Sequence, residues 1–269
     1  MTGKNVFKIG LLFILLFAIG TSCSRSVLTP TQVAGIKNSG NDYVVLMHGL
    51  WNSSSRMKKF EDYFSNKGYQ VLNIDYPTTE TPIQSIESRY LGPIINAIPF
   101  QTGQKVHFVT HSMGGLVLRD YLRKNQLPQL GRIVMISPPN GGSEWANLLI
   151  NNAFYRWAAG PAAFDLRTVD NDFLSKLGAV TYELGIIAGN KTYAESFQDV
   201  IPGPDDGMVG VESMKLPGMR DLIIIHEHHR GLTWNLEAMN QAWFFIKSGQ
   251  FQHSYKMTTA KNPVFHTQK

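Results

Sequence analysis

The chain offers a serine, an acid and a histidine in that order, each in a stretch that follows an apolar run. The serine is Ser112, in Val106-His107-Phe108-Val109-Thr110-His111-Ser112-Met113-Gly114-Gly115. The acid lies in Gly203-Pro204-Asp205-Asp206-Gly207-Met208-Val209 and the histidine in Ile223-Ile224-Ile225-His226-Glu227-His228-His229. A serine hydroxyl is a weak nucleophile near neutral pH, so a base must take its proton. An imidazole does this when a buried carboxylate fixes its tautomer and stabilises the imidazolium. Acyl transfer by such a set also needs backbone N–H groups aimed at the oxyanion that develops. The N–H of Met113, directly after the serine, is one candidate. Leu50, in Tyr43-Val44-Val45-Leu46-Met47-His48-Gly49-Leu50-Trp51, is the other.

Several of these positions leave choices open. Asp205 and Asp206 are adjacent, so both cannot point at one imidazole; Gly207 permits a tight turn that aims Asp206 inward and leaves Asp205 a solvated loop acid. Among His226, His228 and His229, spacing alone does not select the base. A metal site on these three is the weaker alternative, because no partner cysteine or spaced His-x-x-x-His is present. No metal and no cofactor is called for. His48 reads as an architectural residue and Asp75 as an ordinary strand-end acid ahead of the nucleophile.

The elements that must carry these residues follow from hydrophobic periodicity. Strands are expected at 43–47, 70–74, 105–110, 132–137, 184–188 and 222–225, and helices at 56–67, 83–97, 113–124 and 236–247. Gly68 sits at a helix C-terminus, while Asp75-Tyr76-Pro77 and Pro138-Pro139 end strands. Strands that are apolar throughout and alternate with helices imply a mostly parallel sheet covered on both faces, an α/β fold. Residues 138–180 interrupt the alternation with Trp145, Leu148, Leu149, Ile150, Phe154, Tyr155 and Trp157. They read as a small apolar cap over the nucleophile, the alternative being aromatics packed at the sheet edge.

The ends of the chain carry a different message. Lys4 and Lys8 precede an apolar stretch from Ile9 to Ile19, which has the length of a signal-peptide core and is short for a membrane span. It leads to Gly20-Thr21-Ser22-Cys23, and Cys23 is the only cysteine. Residues 1–22 are therefore expected to be a signal peptide of lipoprotein type, with Cys23 lipidated and 23–41 a tether; a simple cleaved secretory signal is the alternative. Placement in a bacterial cell envelope follows, in the outer membrane or periplasm, or else secretion. The formal charge of +5 resides wholly in Lys4, Lys8, Lys256, Lys261 and Lys269. The body is thus neutral, with no basic stripe to neutralise phosphates, which argues against nucleic acid as a partner. Residues 252–269 read as a basic, mobile tail.

Residues 42–251 resemble the lipase-like branch of the α/β-hydrolase superfamily, similar to bacterial triacylglycerol lipases and GPI inositol-deacylase-type lipases. The stretches that carry the likeness are His48-Gly49-Leu50 with the Ser-rich loop and Arg56-Met57, and Gly68 to Pro77. They continue through the serine turn, Leu130 to Asn140, Gly142-Ser143-Glu144, Asp206 to Val209, Val211-Glu212-Ser213 and Leu216-Pro217-Gly218-Met219. The usual pattern around the serine is G-x-S-x-G, and Thr110 stands where the first Gly is expected. The resemblance implies a strand–turn–helix nucleophile elbow at Ser112, Asp206 as the acid, and Leu50 and Met113 as oxyanion donors. The distance after Leu216-Pro217-Gly218-Met219 favours His229 as the base, with His228 as runner-up. The implied activity is cleavage of carboxylic esters, small or lipidic, through an acyl-enzyme at a membrane surface. An amidase, thioesterase or acyltransferase with the same triad, or a non-catalytic envelope binding protein on this scaffold, are the alternatives.

Overall fold

A computed structural model describes residues 28–169, 171–193 and 200–253. Six strands form one parallel sheet: β1 (Tyr43–Met47), β2 (Gln70–Ile74), β3 (Val106–His111), β4 (Leu130–Ile136), β5 (Leu184–Gly189) and β6 (Asp221–Ile225). Their spatial order is β2-β1-β3-β4-β5-β6, and every neighbouring pair is parallel. The progression reverses between β1 and β3. A crevice opens at the carboxyl ends of the strands at such a switch point, which is where open α/β sheets bind ligands.

Both faces of the sheet are buried, which is why the strands read as unbroken apolar runs. Val45, Met47, Phe108, Ile133, Met135 and Ile186 pack on one face. Val44, Leu46, Val109, Val134, Ile136 and Ile187 pack on the other. The first face is covered by α1 (Pro30–Ala34), by α3, which spans 83–96, and by α4 (Met113–Lys124). The second is covered by α2 (Lys58–Asn66) and α9 (Leu236–Ser248). Helix α4 buries every residue from Met113 to Tyr121, so its start is held rigidly against β3.

Two helical segments differ from the pattern expected of the sequence. Helix α3 runs α over Ile83–Ile86, widens to a π turn over Glu87–Leu91, and returns to α over Gly92–Asn96. Pro93 has no N–H and its ring crowds the preceding turn, so a wider turn ahead of it relieves both problems. In the segment read as a tether, Thr29 closes a capping box with Gln32, and Val33 on α1 is buried in the core. Chain packed in this way begins well before residue 42. Residues 1–22, Cys23 and 254–269 lie outside the described residues.

The insertion between β4 and β5 folds into α5 (Glu144–Leu149), α6 (Ala153–Ala159), α7 (Ala162–Asp165) and α8 (Asp172–Leu177). Trp145, Leu149, Tyr155, Ala159 and Ala163 form a cluster of their own. It is tied to the site by specific bonds. The Ser143 hydroxyl donates to the Met208 carbonyl at 2.7 Å, and Trp145 Nε1–H donates to the Gly207 carbonyl at 3.1 Å. Trp51 Nε1–H donates to the Ala158 carbonyl at 2.8 Å.

Candidate active site

Ser112 joins β3 to α4 with φ 54° and ψ −129°, a conformation that costs an L-residue strain and recurs where a nucleophile is presented. Although it is the N-cap residue of α4, its side chain makes no capping hydrogen bond, so the hydroxyl is not spent on the helix. The first turn of α4 holds no acid and its last turn carries Arg123 and Lys124, which leaves the positive end of the helix dipole open toward the serine. Thr110 fits the elbow because Gly115 faces it: a Cβ there would lie 3.3 Å from Thr110 Oγ1. The space that the usual first glycine leaves open is supplied here from the helix side.

The β1 register pairs Met47 with Thr110, so Gly49 comes level with Ser112. A Cβ at Gly49 would fall 2.8 Å from Ser112 Cβ, so only glycine lets the loop after β1 pass Ser112 this closely. His48 is buried and braces that loop. Its Nε2 lies 3.1 Å from Asp75 Oδ1 and its ring stacks on Tyr76 with centroids 4.2 Å apart. The Tyr76 hydroxyl donates to the His48 carbonyl. Asp75 is thus a buried structural partner. Leu50 lines the cleft beside Ser112, and Met113 begins α4 with its N–H at the open helix end.

Asp206 and His229 form a buried pair, His229 Nδ1–H donating to Asp206 Oδ2 at 2.8 Å. The His229 backbone N–H also donates to the Asp206 carbonyl at 2.9 Å. The other carboxylate oxygen, Oδ1, accepts the N–H groups of Met208 at 3.0 Å and Val209 at 2.9 Å. This turn requires Gly207 at φ +91°. Asp205 departs from the expectation of a solvated acid: it is 6% exposed, its Oδ1 accepts the Gly207 N–H at 2.7 Å, and burial raises its pKa. Its Oδ1 closes the turn that aims Asp206. The remaining histidines go elsewhere. His226 Nδ1 meets Asn190 Oδ1 at 3.0 Å, and His228 Nδ1–H donates to the Lys191 carbonyl at 2.8 Å while its ring stacks on Tyr193. Among the described residues no cluster of three His, Cys, Asp or Glu side chains could hold a metal ion.

Ser112 and His229 line one cleft. The cap supplies apolar lining through Trp145, Ala146, Leu149, Tyr155 and Leu166, and Asn52 and Arg230 are polar residues of the same lining. Three residues here escaped the sequence reading. His111 is buried against His229, ring centroids 4.7 Å apart, and its Nε2–H donates to the His229 carbonyl at 3.0 Å. Burial first, then the nearby His229, hold its proton affinity well below the histidine norm, so it stays neutral. Asn52 and Arg230 are the others. Arg230 directly follows the favoured base, and that adjacency was the available signal.

Residues 44–248 match the model of the Alpha/beta hydrolase family. No curated protein matches the chain. Among solved structures, a mature lipase of Bacillus licheniformis aligns with TM-score 0.62 and 20% identity, over 79% of this chain and 94% of that one. A phospholipase of Legionella pneumophila aligns with TM-score 0.54 and 16% identity, over 65% of this chain and 45% of that one. A metagenomic carboxyl esterase aligns with TM-score 0.53 and 16% identity, over 72% and 66%. Identities this low establish a shared fold. Among the described residues no helix is long and apolar enough to cross a membrane.

Proposed function

The chain belongs to the α/β-hydrolase family, and on that footing we propose that it is a serine hydrolase cleaving carboxylic esters. The observation that carries the reading is the buried Asp206–His229 pair opening into the same cleft as the strained, uncapped Ser112. With Nδ1–H held by Asp206, His229 presents Nε2 as an acceptor. Ser112 Oγ forms a bond to the ester carbonyl carbon as its proton passes to His229 Nε2. The oxyanion is received by the N–H groups of Leu50 and Met113. The alcohol leaves with the proton from His229, and water repeats the sequence in reverse to free the acid and restore Ser112.

The apolar cap wall suits an acyl chain, and the lipase and esterase neighbours are consistent with an ester substrate. The decisive experiment is turnover of p-nitrophenyl esters of two to twelve carbons beside a matched anilide and thioester, with wild type and Ser112→Ala. Ester turnover that vanishes in the variant supports the reading. Preference for the anilide or thioester points to an amidase or thioesterase, and no turnover with intact folding points to a binding protein. Attachment to an envelope membrane through a lipidated Cys23 is part of the same proposal; the mass of the mature N-terminus tests it, and an unmodified terminus elsewhere refutes it.

A further inference from the structure

The turn that aims Asp206 is completed by side chains from the cap. Residues 206–209 present four main-chain carbonyls. That of Asp206 accepts the His229 N–H at 2.9 Å, and that of Val209 accepts the Asp206 N–H at 3.2 Å. The other two are taken by residues of the insertion: Gly207 by Trp145 Nε1–H at 3.1 Å, and Met208 by the Ser143 hydroxyl at 2.7 Å. Each of these two carbonyls shares a peptide unit with an N–H that holds Asp206. The unit from Gly207 to Met208 gives its N–H to Asp206 Oδ1 at 3.0 Å, and the unit from Met208 to Val209 gives its N–H to the same oxygen at 2.9 Å. Trp145 and Ser143 therefore grip the far ends of the peptide planes that hold the carboxylate oxygen not used by His229.

A peptide unit is planar, so fixing its carbonyl fixes the direction of its N–H. A donor on the carbonyl also polarises the unit and strengthens the N–H as a donor. Both cap residues are buried, Trp145 at 2% exposure and Ser143 at 8%, so water does not readily replace either bond once it is lost. Ser143 supplies a second indication. It occupies the N-cap position of α5, where a serine side chain ordinarily accepts from the first turn, yet it makes no capping bond. Its hydroxyl is directed to Met208 instead. Both residues also line the cleft, which puts the lining of the substrate site one peptide unit away from Asp206.

We propose that Ser143 and Trp145 are positioning residues for catalysis, acting through the Met208 and Val209 N–H groups on Asp206 and through Asp206 on His229. This rests on the ester-hydrolase reading and extends its machinery into the cap. Trp145→Phe keeps an apolar ring and removes the Nε1–H donor. Ser143→Ala removes the hydroxyl, and Ser143→Thr retains one. The assay is kcat and KM on p-nitrophenyl acetate and p-nitrophenyl decanoate, with the melting temperature as the control for folding. Trp145→Phe and Ser143→Ala should each lower kcat about tenfold on both esters, the scale of a small misplacement at a reacting centre, with KM changed by less than about threefold. Ser143→Thr should keep most of the wild-type kcat. An acetyl group gains little from apolar lining, so a loss confined to the decanoate, or confined to KM, makes both residues substrate contacts only and overturns the proposal. Each change is then placed in Asp206→Asn. The orienting role of the acid is already gone there, so each should cost less than about threefold further in kcat. A full tenfold loss in that background, or an unchanged kcat in the folded single variants, also overturns the proposal. The two positions are tested independently, so a variant that fails to fold leaves the other to decide. Turnover of neither ester by wild type instead refutes the ester-hydrolase reading itself.

Discussion

Asp206→Asn isolates the orientation of His229 from the packing of the loop that holds it. The amide oxygen can still accept the Met208 and Val209 N–H groups that bind Oδ1, so the turn survives. The amide NH₂ then faces His229 Nδ1, where Oδ2 now accepts at 2.8 Å. Two donors cannot share that contact, so His229 shifts to the tautomer with the proton on Nε2, which cannot take the Ser112 proton. The same loss of tautomer control in a serine protease costs about 10⁴ in kcat. At 1.36 kcal/mol per factor of ten, that is about 5.4 kcal/mol of barrier. Asp206→Ala should add a stability loss, because two buried N–H groups lose their acceptor at about 1–3 kcal/mol each. The assay is kcat on p-nitrophenyl butyrate, with the melting temperature as the control for folding. Asp205→Asn is the comparison: its Oδ1 can still accept the Gly207 N–H, so activity should stay within about tenfold. A folded Asp206→Asn enzyme within tenfold of wild type, or equal losses at both positions, would refute the reasoning.

Three other outcomes are accessible. His229→Ala should lose nearly as much kcat as Ser112→Ala, since the members of a triad act as a unit, while His228→Ala keeps most activity; kinetics of the three variants check this. Asp75→Ala leaves buried His48 without its partner and loosens the Leu50 loop, so kcat should fall by up to about 10²–10³ with KM less affected, the scale of a lost oxyanion donor. His111 is held neutral in the fold while its free counterpart near pKa 6.5 takes a proton. The unfolded state therefore binds more protons below that pH, and stability contributed by neutral His111 is lost as pH falls through it. Melting temperature against pH should decline more steeply for wild type than for His111→Gln between pH 6.5 and 5, and parallel curves would contradict the assignment.

Much of this arrangement was legible in the sequence because it depends on local pattern. Helix α4 runs over Met113–Lys124 as the periodicity places it, and the strand ends fall within two residues of expectation. Gly207 has the positive φ that the choice of Asp206 over Asp205 needed, and the loop bonds His229 while His228 turns to Lys191. What escaped depends on partners distant in the chain. Asp205 looks solvated in its polar loop but is buried by the fold around it. The tolerance of Thr110 is set by Gly115 on the next turn of structure, and the neutrality of His111 by a residue 118 positions away. Asn52 and Arg230 are ordinary polar residues by composition, and only the fold brings both to one cleft.

The nucleophile itself can be read by covalent trapping. Wild-type protein is labelled with a fluorophosphonate, digested, and the modified peptide sequenced by mass spectrometry. The adduct should sit on Ser112, in the peptide containing His111-Ser112-Met113, and should be absent from folded Ser112→Ala and strongly reduced in His229→Ala. An adduct on another serine, or unchanged labelling of Ser112→Ala, would contradict the assignment of Ser112 as the group that attacks the ester.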